Sequence, residues 1–265
     1  MPDPTDHQIS HRVIAITGAG GALGAAVSRR LARESQTALV LSDVSETSLA
    51  STVAALGEGA GPTATILADV SDIAQVEAVV GLAVERFGRL DVLVSNAGVL
   101  APNGRIHNLS TEDWERSFRI NVLGAVNGIR AAVAVMRPQR SGSIILTASV
   151  DGMTAWSHSA PYCATKAAVI SLGRTLAVEL AQRGVRVNVL SPGPIDTPIA
   201  KKSGLPPDQA KGVVEMLVAR SLLKRIGTSD EVARAARFLL SEDSSNITGT
   251  ELIIDGGVRL ARAAS

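Results

Sequence analysis

An α/β fold, a doubly wound parallel sheet of about seven strands with helices on both faces, is what this sequence predicts. Three observations carry the prediction. Short runs of Val, Ile, Leu and Ala recur along the chain, as strands buried on both faces do. Amphipathic stretches at helical spacing separate those runs. Aromatic residues make up only 2% of the chain against 46% hydrophobic residues, so the core has to be aliphatic. Strands alternating with helices imply right-handed crossovers and therefore parallel neighbours.

The elements follow in order. A strand at 13–17 runs into a glycine turn (Gly18, Gly20, Gly21, Gly24) and an amphipathic helix at 22–33. A strand at 38–42 precedes a helix at 46–56, and a strand at 63–68 precedes a helix at 72–87 that Ser71 is expected to cap. The strand at 92–95 leads to a long helix at 111–136, opened by Ser110 with Asp113 three residues on. The strand at 143–148 ends in an apolar run closed by Ser149, and a helix follows at 161–183. A strand at 186–190, a helix at 229–240 opened by Thr228 or Ser229, and a strand at 251–254 complete the pattern. The segment 197–225 breaks it, with Pro198, Gly204, Pro206 and Pro207 before a helical stretch at 209–219. It follows a strand's C-terminal end, where open α/β sheets bind ligands. It reads as a mobile lid, with a permanently packed helical hairpin as the alternative.

Composition narrows the class. At 265 residues and 27.4 kDa one domain is expected, spanning 11–265 behind a flexible polar tail at 1–10. The 26 basic and 25 acidic residues leave a net charge of +1, with no field of one sign to hold nucleic acid or an anionic membrane. No leader-like segment or eighteen-residue apolar run is evident, so no membrane partner is expected. Cys163 is the only cysteine. It allows no intrachain disulfide, fits a cytoplasmic location and reads as a small apolar filler. His11, His107 and His158 have no partners at metal-ligand spacing, so no metal is expected.

The chemistry concentrates at three residues. Tyr162 and Lys166 stand four apart in the 161–183 helix, so both can project into one cleft. A free phenol titrates near ~10, and an adjacent ammonium is expected to lower that value and favour proton exchange. Ser149, thirteen residues before the tyrosine, can polarise a carbonyl from its strand end. A surface ion pair and an ordinary strand-end hydroxyl are the plain alternatives. The glycine turn between strand and helix has the context of a dinucleotide fingerprint: the backbone approaches a pyrophosphate, and the helix N-terminus offers free N–H groups. Asp43, at the end of the second strand, is placed to bind ribose hydroxyls and to repel a 2′-phosphate. Neither the glycine turn nor Val44-Ser45 supplies a base for such a phosphate, so NAD is expected rather than NADP. Asp43 can alternatively cap a helix.

These residues resemble the short-chain dehydrogenase/reductase family of the ~250-residue type. Thr17-Gly18-x-x-x-Ala22-Leu23-Gly24 is similar to its T-G-x-x-x-G-x-G loop, Asp69-Val70 to its adenine-contacting pair, and Ser95-Asn96-Ala97-Gly98 to its N-N-A-G segment. Asn121, Ser149, Tyr162 and Lys166 match its catalytic tetrad in order and spacing. Pro192-Gly193-Pro194-Ile195-Asp196-Thr197 resembles the segment before its substrate loop, and Asp255-Gly256-Gly257 lies in a similar C-terminal stretch. The resemblance covers about 12–258 and departs at Ala22 and Ser95, where the family has Gly and Asn.

What the resemblance implies is a Rossmann-like NAD(H)-dependent oxidoreductase acting on a small alcohol or ketone. Tyr162 is then the general acid/base, Lys166 also binds the nicotinamide ribose, Asn121 holds a water chain, and Ser149 bonds the substrate oxygen. Gly18, Gly21, Leu23, Gly24, Asp43, Asp69, Val70, Asn96, Ala97, Gly98, Pro192, Ile195 and Thr197 are the further implied cofactor contacts. A homotetramer through helices 111–136 and 161–183 is also implied. An NADP(H)-dependent carbonyl or 3-oxoacyl reductase, and an NAD(H)-binding sensor without turnover, stay open. Trp156 and His158 lie between Ser149 and Tyr162 and can line a substrate pocket.

Overall fold

The computed structural model describes residues 12–196 and 207–261. Seven parallel strands form one sheet. They are β1 (Arg12–Thr17), β2 (Thr37–Asp43), β3 (Thr63–Leu67), β4 (Val92–Ser95), β5 (Gly142–Thr147), β6 (Val185–Pro192) and β9 (Glu251–Ile254). Across the sheet their order is β3-β2-β1-β4-β5-β6-β9. Strand order reverses direction between β1 and β4, which opens a crevice at their C-terminal ends. Ile195–Asp196 (β7) and Gly227–Thr228 (β8) pair separately and tie the segment after β6 to the start of the last helix. The sequence pattern carried no sign of that two-residue ladder.

Alternation within each strand divides the core. Val13 and Ala15 face one layer with Val40, Leu93, Ile144, Leu146, Val187 and Val189. That layer is closed by α3 (Ile73–Phe87), α5 (Gly124–Gln139) and α6 (Ala160–Leu180). Ile14 and Ile16 face the other layer with Leu39, Leu41, Val92, Val94 and Ile145. There α1 (Ala22–Leu31), α2 (Glu46–Ala54) and α8 (Ser229–Leu240) pack. Helix α7 (Pro207–Arg220) follows β7 in sequence. The tail at 1–10, Thr197 and the first part of the expected lid lie outside the described residues.

Two boundaries depart from the sequence pattern. The segment expected as one helix at 111–136 is α4 (Thr111–Phe118), a π-helical turn at Arg119–Leu123, and then α5. Thr111–Gln139 as a whole has the length and apolarity to cross a membrane. Here Ala125, Ile129, Ala132 and Met136 instead bury that apolarity against the sheet. The cap of α3 is Asp72, whose carboxylate accepts from Ala74 N–H and Gln75 N–H, and not Ser71. An ionised cap reaches the helix N-terminus with a full charge and outcompetes the preceding hydroxyl. The capping boxes expected at Ser110/Asp113 and Thr228 are present, the second completed by Glu231.

Candidate active site

The glycine turn is built by close backbone approach. Gly18 has φ +65°, and a Cβ there would lie 2.7 Å from Ala97 Cα. A Cβ on Gly24 would lie 2.2 Å from the Gly18 carbonyl oxygen. Gly21 is looser, with its nearest neighbour at 3.3 Å. Ala22 takes the first position of α1, where an L-residue fits the helical backbone. No side chain caps α1 and its first turn has no acidic residue, whereas Ser45, Asp72, Ser110 and Thr228 cap α2, α3, α4 and α8. The first N–H groups of α1, with Leu23 among them, are thus left for an anion. Asp43 lies against this turn: its carboxylate accepts from Gly20 N–H at 2.9 Å and Ser45 N–H at 3.0 Å.

Asn96 joins the turn to the centre of the sheet. Its amide donates to the carbonyls of Thr17 at 3.2 Å and Gly18 at 3.1 Å. The Thr17 hydroxyl accepts from the N–H of Asn96 and of Ala97. Asn96 also takes a long, weak hydrogen bond from the Thr147 hydroxyl at 3.5 Å. The Thr147 carbonyl in turn accepts the Lys166 ammonium at 2.9 Å. Glycine turn and Lys166 therefore sit at the two ends of one short chain of polar contacts. Gly98 keeps that space open, since a Cβ there would stand 3.2 Å from Asn121 Oδ1 and 3.5 Å from Lys166 Nζ.

The π-helical turn aims Asn121. Inserting an extra residue per turn shifts the helix face, as such bulges do at functional sites. Asn121 is buried, accepts Val99 N–H at 2.8 Å, and donates to Val99 C=O at 2.9 Å and to the Thr165 hydroxyl at 3.1 Å. The Thr165 hydroxyl donates in turn to the Tyr162 carbonyl at 2.8 Å. Asn121 thus clamps the loop after β4 to α6.

Ser149 lies beyond the strand expected to contain it. β5 stops at Thr147, and Ser149 caps a 3₁₀ turn at Val150–Gly152, with its Oγ accepting from Asp151 N–H at 3.2 Å. The hydroxyl lies 3.5 Å from the Pro192 carbonyl, so the end of β6 adjoins it. That turn is pressed against α6: a Cβ on Gly152 would lie 2.7 Å from the Lys166 carbonyl carbon. On α6, Tyr162 and Lys166 share a face, with Lys166 Nζ 5.6 Å from the Tyr162 ring centroid.

The electrostatics reverse one expectation. The Tyr162 phenol is pushed up to about 12, by burial first and then by the Asp151 carboxylate, against a smaller opposing pull from the Ser149 hydroxyl. Burial draws Lys166 down to about 8. The ammonium is committed to the Thr147 carbonyl and is itself stripped of water, so it does not lower the phenol as spacing alone suggested. Asp151, Thr147 and Thr165 are the site residues that sequence reasoning missed. Asp151 alone left a signal, as a carboxylate two residues after Ser149 in an otherwise uncharged stretch.

The remaining positions are more peripheral. Asp69 and Val70 follow β3, at the sheet edge. Asp69 is exposed and accepts Ser71 N–H at 2.8 Å, while buried Val70 packs on α5 and its carbonyl accepts the Asn127 amide at 2.9 Å. Pro192 ends β6 with its carbonyl beside Ser149, and Ile195 starts β7. Trp156 carries the Arg220 guanidinium of α7 5.4 Å from its ring centroid, so the end of α7 docks on the loop between Ser149 and Tyr162.

Residues 18–259 match the family described as Enoyl-(Acyl carrier protein) reductase. Levodione reductase of Leifsonia aquatica is 38% identical over 255 residues, covering 94% of this chain and 95% of that protein. The crystal structure of levodione reductase superposes with a TM-score of 0.89 at 37% identity, covering 95% of this chain and 98% of its own. Cis-4-hydroxycyclohexanecarboxylate dehydrogenase of Sinomonas cyclohexanicum is 38% identical over 249 residues, covering 94% and 96%. The structure of an NAD⁺-bound xylitol dehydrogenase superposes with a TM-score of 0.88 at 32% identity, covering 94% and 100%. With the sheet order, the glycine turn and this agreement along nearly the whole chain, the protein belongs to the short-chain dehydrogenase/reductase family and is an oxidoreductase.

Proposed function

We propose that the protein is an NAD(H)-dependent oxidoreductase of secondary alcohols and their ketones. The observation that carries this reading is the grouping of Ser149, Asn121 and Lys166 around Tyr162, tied to the glycine turn through Asn96 and Thr147. The cradle at Gly18 and Gly24, the uncapped start of α1 and the Asp43 carboxylate fit a dinucleotide, whose nicotinamide supplies the hydride chemistry when bound. Tyr162 then holds the proton exchanged with the substrate oxygen. With its phenol raised to about 12, it is neutral at pH 7 and suited to donate in the reductive direction. Ser149 bonds the same oxygen, and its Oγ is oriented by the Asp151 N–H it accepts. Asn121 holds the Tyr162 backbone through Thr165, and Lys166, bonded to the Thr147 carbonyl, stands 5.6 Å from the tyrosine ring centroid.

Asp43 argues for NAD. Two backbone N–H groups fix its carboxylate beside Gly20, and it retains acceptor capacity for ribose hydroxyls. A phosphate placed there meets like charge. NADP(H) is the second reading. It draws on Arg29, which lines a cleft of about 310 Å³ with Gly20, Thr47 and Ser48. Steady-state rates with both cofactors separate the two. The expected result is a higher kcat/KM with NADH, and a relative gain of tenfold or more for NADPH in Asp43→Ala. A wild-type preference for NADPH overturns the NAD reading.

The names of the relatives bear on the substrate. One of them carries a hydroxylated cyclohexane ring in its name, and another is a polyol dehydrogenase. A cyclic or polyhydroxy secondary alcohol is the substrate class proposed for this chain.

A further inference from the structure

The Asp151 carboxylate belongs to no step assigned above, yet its place is closely fixed. The 3₁₀ turn that carries it starts at Ser149 and is seated on α6 at Gly152, where no side chain fits. Asp151 N–H binds the Ser149 hydroxyl, so the residue is anchored to a group that faces the substrate oxygen. The side chain is half-buried, and its charge is felt by the Tyr162 phenol and the Cys163 thiol. Among the described residues no donor bonds this carboxylate and no cation pairs with it. The contrast with Asp43, Asp72 and Asp91 is direct, since each of those accepts two or more hydrogen bonds.

A half-buried carboxylate without a donor loses part of its hydration, and no bond offsets that loss. Burial alone holds its proton affinity up. Such a group is explained when something else supplies the donor in the functional state. The cleft in front of Ser149 and Tyr162 is where a substrate arrives. The substrate oxygen is claimed by those two hydroxyls, so the donor for Asp151 sits beside the reacting carbon.

We propose that Asp151 is a specificity-determining residue that accepts a hydrogen bond from a second donor, a hydroxyl or an ammonium, one or two carbons from the carbinol carbon being oxidised. This inference rests on the oxidoreductase reading and narrows its substrate class to vicinal and 1,3-diols or amino alcohols. A carboxylate on the neighbouring carbon is disfavoured by like charge. The proposal requires no new bond-making step, because Asp151 binds and does not exchange its proton.

Matched pairs of secondary alcohols test it, each pair alike except for a hydroxyl on the neighbouring carbon: cyclohexanol with cis-cyclohexane-1,2-diol, and butan-2-ol with butane-2,3-diol. trans-2-Aminocyclohexanol provides the ammonium arm. NAD⁺-coupled kcat/KM is measured for wild type, Asp151→Asn and Asp151→Leu. A hydrogen bond to a charged group predicts that wild type prefers the donor-bearing member by about ten- to a hundredfold. In Asp151→Leu that ratio falls to about one, because the donor-bearing substrate loses more than the plain alcohol does. Asp151→Asn, which keeps the shape and one acceptor, retains part of the diol preference and loses any preference for the amino alcohol. Turnover of the pairs with no preference, or a ratio unchanged in Asp151→Leu, overturns the inference and leaves the oxidoreductase reading standing. No turnover of any pair by wild type sinks both.

Discussion

At the scale of single residues, buried Lys166 and half-buried Tyr162 have proton affinities that move in opposite directions. Lys166 falls from 10.5 to about 8, so the folded state is penalised while the lysine is charged. Between about pH 8 and 10.5 the unfolded chain binds the extra proton, and stability from this group rises with pH. Tyr162 rises from 10.0 to about 12, so its contribution is present below pH 10 and is lost as pH climbs through about 12. Lys166→Met removes the first effect, along with the bond to the Thr147 carbonyl, whose loss does not depend on pH. Urea unfolding at pH 7 and pH 10 is expected to show the variant improving relative to wild type at the lower pH. The difference between the two pH values should be about 2 to 3 kcal/mol. A gap that is the same at both values contradicts the burial of a charged lysine.

The sequence exposed the identity of these residues more readily than their electrostatics. The four-residue spacing put Tyr162 and Lys166 on one helix face, and the structure keeps them there. The direction of the tyrosine shift was not legible, because it depends on how deeply the fold buries the phenol and on a carboxylate contributed by another element. Thr147 and Thr165 gave no signal, since one acts through its carbonyl and the other is an ordinary threonine in a helix.

At the scale of elements, the glycine turn and the π-helical turn contrast. The turn was readable from composition, because only residues without Cβ permit the approach of Gly18 to Ala97 and of Gly24 to Gly18. The π-helical turn was not, because one inserted residue disturbs a 3.6-residue pattern too little to show over twenty-nine positions. Its consequence is local: it delivers Asn121 to Val99 and Thr165. The glycine turn offers a sharp test. Gly24→Ala places a methyl 2.2 Å from a carbonyl oxygen that cannot move freely, and is expected to destabilise by about 2 kcal/mol and weaken NADH binding tenfold or more. Gly21→Ala meets only the 3.3 Å neighbour at an ordinary φ of −75° and should keep the wild-type Tm. Thermal unfolding and NADH fluorescence titration decide between them. Equal tolerance at both positions contradicts the packing described for the turn.

At the scale of the whole molecule, the site is a product of topology. β1 and β4 diverge at the switch in strand order, so the glycine turn after β1 and the Asn96–Gly98 segment after β4 meet at one end of the sheet. β5 and β6 bring Ser149 and Pro192 to the same end. The aliphatic runs predicted all seven strands of this sheet within a few residues; the five inner strands are buried on both faces and have no amphipathic ambiguity, while β3 and β9 are part-exposed edge strands. Loop conformation was beyond that logic: Ser149 moved from strand to 3₁₀ cap, and the 3₁₀ turn that holds Asp151 has no signature of its own.

The central claim is that one end of this sheet binds the dinucleotide and an adjoining tyrosine exchanges the proton, as separable tasks. Tyr162→Phe tests it most directly, with NADH affinity and NAD(H)-coupled turnover measured on the same preparation. Turnover is predicted to fall by about a hundredfold or more while NADH affinity stays within about twofold of wild type. Wild-type turnover by Tyr162→Phe contradicts the account.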